Sequence, residues 1–160
     1  MAKHDDIAQI GWDADPVCSP RPFAKEDRLH LEKPWNVYTS GDGFITHETI
    51  PAGFDFEGSV PWFGFQIITP SEPAAWAAWC FHDWRTTLLK IGIGTLRQTH
   101  RGLYLALRKN GVAWWRARIV WVAVWSLGWY YAKKPLTDKE KEELKSAGYR
   151  FAGSEAAPAT

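Results

Sequence analysis

Residues 71–90 read S-E-P-A-A-W-A-A-W-C-F-H-D-W-R-T-T-L-L-K, and the rest of the chain is organised around them. Ser71 fits an N-cap, Glu72 suits the positive end of a helix dipole, and Pro73 is tolerated in a first turn because its missing N–H had no helical partner. A helix is therefore expected over this stretch. Ala74, Ala75, Ala77 and Ala78 allow close backbone approach, while Trp76, Trp79, Cys80, Phe81 and Trp84 leave few positions for water, so the helix is expected to be buried. His82 and Asp83 interrupt this apolar surface. Each must find a partner or forfeit roughly 1–3 kcal/mol of desolvation, and what satisfies them is the question on which function turns.

Working outward toward the N-terminus, residues 58–62 close a loop and residues 63–69 are aromatic and β-branched up to Pro70. The loop P-A-G-F-D-F-E-G-S-V-P-W, residues 51–62, compresses glycines, prolines and two carboxylates. In an extended segment Asp55 and Glu57 point to one side, a geometry usable for a metal or a shared proton, or equally for capping turns and pairing with an arginine. Before it, R-L-H-L-E-K and W-N-V-Y-T alternate with period two, and S-G-D-G supplies turn chemistry ahead of F-I-T-H-E-T-I, which predicts a small antiparallel hairpin or three-stranded sheet. His30 and His47 fall on these strands and are assigned no function. Residues 1–27 mix charges with Pro16, Pro20 and Pro22, show no periodic apolar face, and are expected to form an irregular arm anchored by Trp12 and Phe23.

Toward the C-terminus, residues 95–110 predict a second helix with Leu96, Leu103, Tyr104 and Leu107 facing the core and Gly111 at its C′ position. A third helix over residues 112–131 carries W-W-R-A-R-I-V-W-V-A-V-W-S-L-G-W-Y-Y. Its uninterrupted apolar part is about thirteen residues, below the roughly 18–20 that cross a bilayer, so a buried or interface helix is expected, with Trp114, Trp115, Trp121, Trp125 and Trp129 as interface candidates. Thr137 and Glu140 form a capping box that opens a short charged helix ending near Gly148, expected to face water or a partner. The tail from Gly153 has the composition of a disordered end.

The totals bound the reading. A chain of 160 residues supports one domain with tails: an arm over 1–27, an α+β domain over 28–132 with a small antiparallel sheet packed on three helices, and a charged helix and tail over 133–160. Nineteen Lys and Arg against eighteen acids give no field that would draw nucleic acid, and no nucleic-acid partner is expected. Cys18 and Cys80, two cysteines with one inside an apolar helix, are expected as free thiols. M-A-K-H-D-D lacks the apolar region of a secretory signal, so the protein is expected to stay in the cell that makes it. Eleven tryptophans favour partner surfaces. No Walker loop, CxxC, HExxH, GxSxG or dinucleotide fingerprint occurs, and no cofactor is expected.

P-A-G-F followed shortly by G-S-V-P, then an Ala-rich helix carrying H-D, then R-x6-Y-x6-G-V and a closing aromatic helix, together resemble DUF1353, a family of small bacteriophage and prophage proteins of unknown function. The resemblance spans residues 37–129. Its most specific part is the ordered pair of P-A-G-F loop and H-D helix. It implies a phage origin, and it carries Glu57, Gly58, Ser59, His82 and Asp83 as matching positions, with Gly53 in the loop. The chain departs from the family three times: Glu57 stands where Asp is usual, the loop is one residue shorter before Pro61, and Arg101 stands where a later helix usually has Asp. Arg101 there opposes a metal site and is expected to pair with Asp83 or Glu57, fixing loop on helix.

Two functional classes follow, with a third behind them. In the enzymatic one, His82 acts as general base, or ligates a metal with Asp83 and Glu57, to hydrolyse a cell-envelope bond in entry or lysis. In the preferred one, the protein is a non-enzymatic virion- or tail-associated component that docks on other phage proteins, in a homo- or hetero-oligomeric assembly, through its aromatic surfaces and terminal arms, made in the host cytoplasm and carried in the virion. The third is a membrane-surface lysis accessory that uses the tryptophans of the third helix without crossing the bilayer.

Overall fold

The computed structural model describes residues 7–20, 28–41, 44–57, 61–62, 65–66 and 72–151, with the backbone alone at 20, 61, 62, 65 and 66. Strands occupy the first half and helices the second, an α+β fold. In chain order the elements are β1 (Ile7–Trp12), β2 (Cys18–Pro20), β3 (Arg28–Leu31), β4 (Trp35–Gly41), β5 (Phe44–Ile50), β6 (Asp55–Glu57), β7 (Pro61–Trp62), β8 (Phe65–Gln66), α1 (Pro73–Leu89), α2 (Leu96–Lys109), α3 (Trp114–Ala132) and α4 (Asp138–Ser146).

The expected hairpin is β4–β5, paired antiparallel from Trp35 opposite Ile50 to Gly41 opposite Phe44. Its period-two pattern buries Trp35, Val37 and Thr39 on one strand and Glu48 and Ile50 on the other. The turn residues 42–43 lie outside the described residues. The third strand of this sheet is β1, giving the order β1-β4-β5, while β2, β3 and β6 form a second antiparallel sheet. The stretch expected as an irregular arm therefore contains two paired strands. A bulge between Ile7 and Gln9 explains why the pattern was hidden. Ile7 and Ile10, three apart, would face opposite sides of a regular strand, yet the extra residue turns both inward.

α1 begins at Pro73 in the first helical position, as expected, but its N-cap is Glu72, which makes no side-chain cap bond. The Glu72 carboxylate accepts from Arg116 of α3 at 2.8 and 3.0 Å instead. Ser71 lies outside the described residues. α1 is buried on nearly every side: Ala75, Ala77, Ala78, Trp79, Cys80, Phe81, Trp84 and Leu88 are within the core. It packs against α2, α3 and β6. Gly102 of α2 makes the α1–α2 approach close, since a Cβ there would lie 2.2 Å from the Phe81 ring. Beneath α1, Phe54 meets Trp84 edge to face at 5.4 Å, and the buried Arg85 guanidinium donates to the buried Glu48 carboxylate of β5, joining helix to sheet.

α2 opens on a capping box between Thr95 and Gln98 and ends before Gly111 at φ +82°. α4 also has its expected capping box, Thr137 with Glu140, but it does not simply face water. Leu144 is fully buried, and after Gly148 the chain returns so that Tyr149 meets Trp84 edge to face at 5.9 Å. The charged helix is thus a fourth helix of the body. Residues 152–160 lie outside the described residues. Both cysteines are free thiols, and burial raises that of Cys80 well above its ordinary range.

Candidate functional site

The loop P-A-G-F forms a turn that hands the chain to β6. Gly53 adopts φ +88°, a conformation that disfavours side chains with a Cβ. Its N–H donates to Leu31 O at 2.8 Å, and Leu31 N–H donates back to Phe54 O at 2.9 Å. The turn is thereby locked to β3, and β6 continues alongside with Phe56 buried and Asp55 and Glu57 on its other side.

The two parts of the H-D motif are used differently from two independent polar groups. Asp83 Oδ1 lies 3.0 Å from His82 Nδ1, and Asp83 Oδ2 accepts the Glu57 backbone N–H at 2.9 Å. One carboxylate thus ties the helix to the loop and orients the neighbouring ring. Because a carboxylate only accepts, the neutral ring carries its proton on Nδ1 and presents a lone pair at Nε2. Nε2 is buried and has no hydrogen-bond partner among the described residues. The ring is held between Trp79, edge to face at 6.0 Å, and His100, stacked at 5.6 Å with 20° between planes. Burial, with His82 close by, lowers the His100 pKa from 6.5 to about 4, so His100 is neutral near pH 7. Gly128 of α3 lets the His100 ring sit against α3, since a Cβ there would fall 2.4 Å from Cε1 and Nε2.

His82 and Asp83 open onto a cavity of about 410 Å³ walled by β6, α1, α3 and α4. Its charged groups are arranged in pairs. Asp55, whose side chain is 2 % exposed, contacts His30 Nδ1 at 2.6 Å and accepts from Lys139 of α4. Lys90 donates to Glu140 at 2.6 Å, and Arg28 approaches Glu57 at 3.5 Å. Glu143 shares Lys139 with Asp55, at the longer distance of 3.6 Å. Burial pushes its pKa up from 4.5 to about 7, against the pull of Lys139, whose Nζ is 3.6 Å away, and of the Asp55 backbone N–H. A carboxyl group in this wall is therefore partly protonated near neutral pH, which lets it serve as a proton donor.

Of the expected site residues, His82 and Asp83 meet directly. Glu57 contributes its backbone N–H to Asp83 and its carboxylate to Arg28. Gly58 and Ser59 lie outside the described residues. The ion pair expected for Arg101 with Asp83 or Glu57 does not form: Arg101 is exposed and lies 5.6 Å over the Tyr104 ring. It sits on the turn after His100, and it is His100 that faces inward. Among the described residues no group of three or more His, Cys, Asp or Glu side chains is arranged to hold a metal ion, so the metal-ligating set of His82, Asp83 and Glu57 is not assembled. Trp114, Trp115, Trp125 and Trp129 are exposed on α3, and Trp121 is half-buried. Sequence reasoning missed Glu143 and Lys139. The available signal was Leu144, the one large apolar residue of α4: Glu140, four positions before it, shares its face, and Glu143, three after Glu140, neighbours Glu140 on the helix surface.

The model of the family described as "Protein of unknown function (DUF1353)" matches residues 30–124, more than half of the chain, and the chain belongs to that family. The match contains both the P-A-G-F turn and the H-D helix that Asp83 joins. No curated protein and no solved structure matches the chain.

Proposed function

We propose that this DUF1353 member is a hydrolase, of the phage or prophage origin its resemblance implies, that cleaves an acyl bond of the cell envelope in entry or lysis. The observation that carries the reading is the His82 ring held through Nδ1 by Asp83, with a buried lone-pair Nε2 that no described residue uses, in a residue that lines the same cavity as the high-pKa Glu143. A base oriented by a third group is the arrangement that general-base catalysis needs.

In this reading a water admitted from the cavity to the buried Nε2 of His82 gives it a proton as its oxygen bonds to the acyl carbon. The tetrahedral species collapses, the bond to the leaving nitrogen or oxygen breaks with its electron pair, and Glu143 protonates that atom. The proton on His82 then returns to Glu143 through solvent. Neither Thr86 nor Thr87 is offered as nucleophile, because their hydroxyls donate to the carbonyls of His82 and Asp83. Water is left as the attacking group.

The assembly role expected from the sequence drew on aromatic surfaces and on terminal arms. With β1 and β2 paired inside the chain and residues 152–160 outside the described set, the exposed tryptophans of α3 are what supports it. Its mark would be a fixed copy number in gradient-purified particles.

The experiment that tests the hydrolase reading incubates the protein with isolated envelope fractions in heavy-oxygen water and identifies released fragments by mass spectrometry. One solvent oxygen in each new carboxyl group, with a rate that falls as pH rises through about 7, is the expected result, because Glu143 loses the proton it must donate. Release by Glu143→Gln at the wild-type rate and pH profile would contradict the assignment of the donor.

A further inference from the structure

We infer that the outer face of α3 docks on an anionic lipid surface. α3 packs inward through small residues: Ala117, Val120, Ala123 and Gly128 are its buried positions. This turns its large side chains outward, the reverse of an ordinary amphipathic helix on a protein in water. Trp114, Arg118, Val122, Trp125 and Trp129 recur at helical spacing along one face, and the four apolar members are 66, 48, 44 and 56 % exposed in the order Trp114, Val122, Trp125, Trp129. Trp115, at 52 %, flanks them. Such a patch is a docking surface rather than scattered exposure.

The charge on this helix selects the occupant. From residue 112 to residue 134 the sequence holds Arg116, Arg118, Lys133 and Lys134 and no carboxylate, in a chain whose net charge is only +1. Arg116 is taken by Glu72. The other three lie over aromatic rings of the helix: Arg118 over the half-buried Trp121 at 5.2 Å, Lys133 over the exposed Trp129 at 5.4 Å, and Lys134 over the exposed Tyr130 and Tyr131 at 4.7 and 4.6 Å. Tryptophan and tyrosine with adjacent cations is the chemistry of the bilayer interface, where rings lie at headgroup depth and cations meet phosphates. A protein partner's interface core would instead be depleted in lysine. The acids of α4 are already engaged or turned to the cavity. Glu140 and Glu143 face the cavity, and Asp138 and Glu142 pair with Lys141 and Lys145. No described helix is long and apolar enough to cross a membrane, so α3 lies on the surface.

The test is sedimentation of the full chain with phosphatidylcholine vesicles with and without phosphatidylglycerol, at low and high salt, with tryptophan emission followed in parallel. It requires no turnover and so stands or falls apart from the hydrolase reading. Binding only to the anionic vesicles, a blue-shifted emission and release by salt are expected. Replacing Arg118, Lys133 and Lys134 together by Gln should weaken binding by about a hundredfold, and the pair Trp114→Ser and Trp129→Ser should abolish the blue shift. No binding to anionic vesicles at low salt would overturn the inference. So would a stable oligomer, or a complex with another protein, that protects these tryptophans and that vesicles do not compete with. Should the variants fail to fold, the lipid and salt dependence of the wild type still decides.

Discussion

Asp83 Oδ2 accepts the backbone N–H of Glu57 at 2.9 Å while Oδ1 stands 3.0 Å from His82 Nδ1, so a single carboxylate ties the end of β6 to α1 and orients the histidine ring beside it. Asp83→Asn keeps an oxygen for one of these contacts but places an amide N–H₂ at the other. If the oxygen stays on Glu57, the ring must accept at Nδ1 and carry its proton on Nε2, the wrong tautomer for a base. We expect Asp83→Asn to lose activity at least a hundredfold, on the order of a general-base contribution, while stability falls by only about 1 kcal/mol. Asp83→Ala should destabilise more. Nitrogen-detected NMR of the histidine rings checks the tautomer directly.

Glu48 and Arg85 form a buried pair between β5 and α1, with side chains 6 and 7 % exposed. Burial raises the Glu48 pKa despite the arginine beside it. Glu48→Gln should leave the guanidinium without a counter-charge and destabilise the fold by about 3–5 kcal/mol. Replacing both residues by apolar ones of similar volume should recover much of that loss. Denaturant unfolding of the single and double variants measures it.

Two glycines are required for different reasons. At Gly53, φ is +88° and a Cβ would meet nothing within 4 Å, so Gly53→Ala should cost about 1–2 kcal/mol through the backbone alone. At Gly102 the backbone is helical and alanine would ordinarily be favoured, yet its Cβ would lie 2.2 Å from Phe81 Cε1. Gly102→Ala should therefore destabilise by about 1–3 kcal/mol through overpacking. Thermal melts of both variants test this.

Stability should respond to pH from both sides. Glu143 has its pKa raised from 4.5 to about 7, so between these values the folded state keeps a proton that the unfolded chain has released, and stability falls as pH rises. His100 has its pKa lowered from 6.5 to about 4, so in that window the unfolded chain takes up a proton that the folded state refuses, and stability falls as pH drops. Glu143→Gln should gain on wild type as pH rises from 4.5 through 7, and His100→Gln should gain as pH falls from 6.5 through 4. Unfolding free energies across that range read both slopes.

The sequence carried the local signals well. Pro73, the capping boxes at Thr95 and Thr137, and Gly111 mark helix ends because the chemistry that satisfies end groups is local. The alternation of β4 and β5 was readable for the same reason. β1 was not, because its bulge breaks the period that identifies a strand. His82 and Asp83 stood out as polar residues in an apolar helix. Their partner was misjudged, because Arg101 and His100 are adjacent and their helix turns only one of them inward. Glu143 was hidden in a run of charges whose docking depends on Leu144 and on the return of Tyr149 to Trp84.

The central claim is that His82 is a base and not only a packing residue. The direct measurement is envelope-fragment release by His82→Gln beside wild type, with circular dichroism and thermal melts of both. A folded His82→Gln that releases no fragments while wild type does is the predicted result. A folded His82→Gln that works as fast as wild type, or one that cannot fold at all, would contradict the catalytic account.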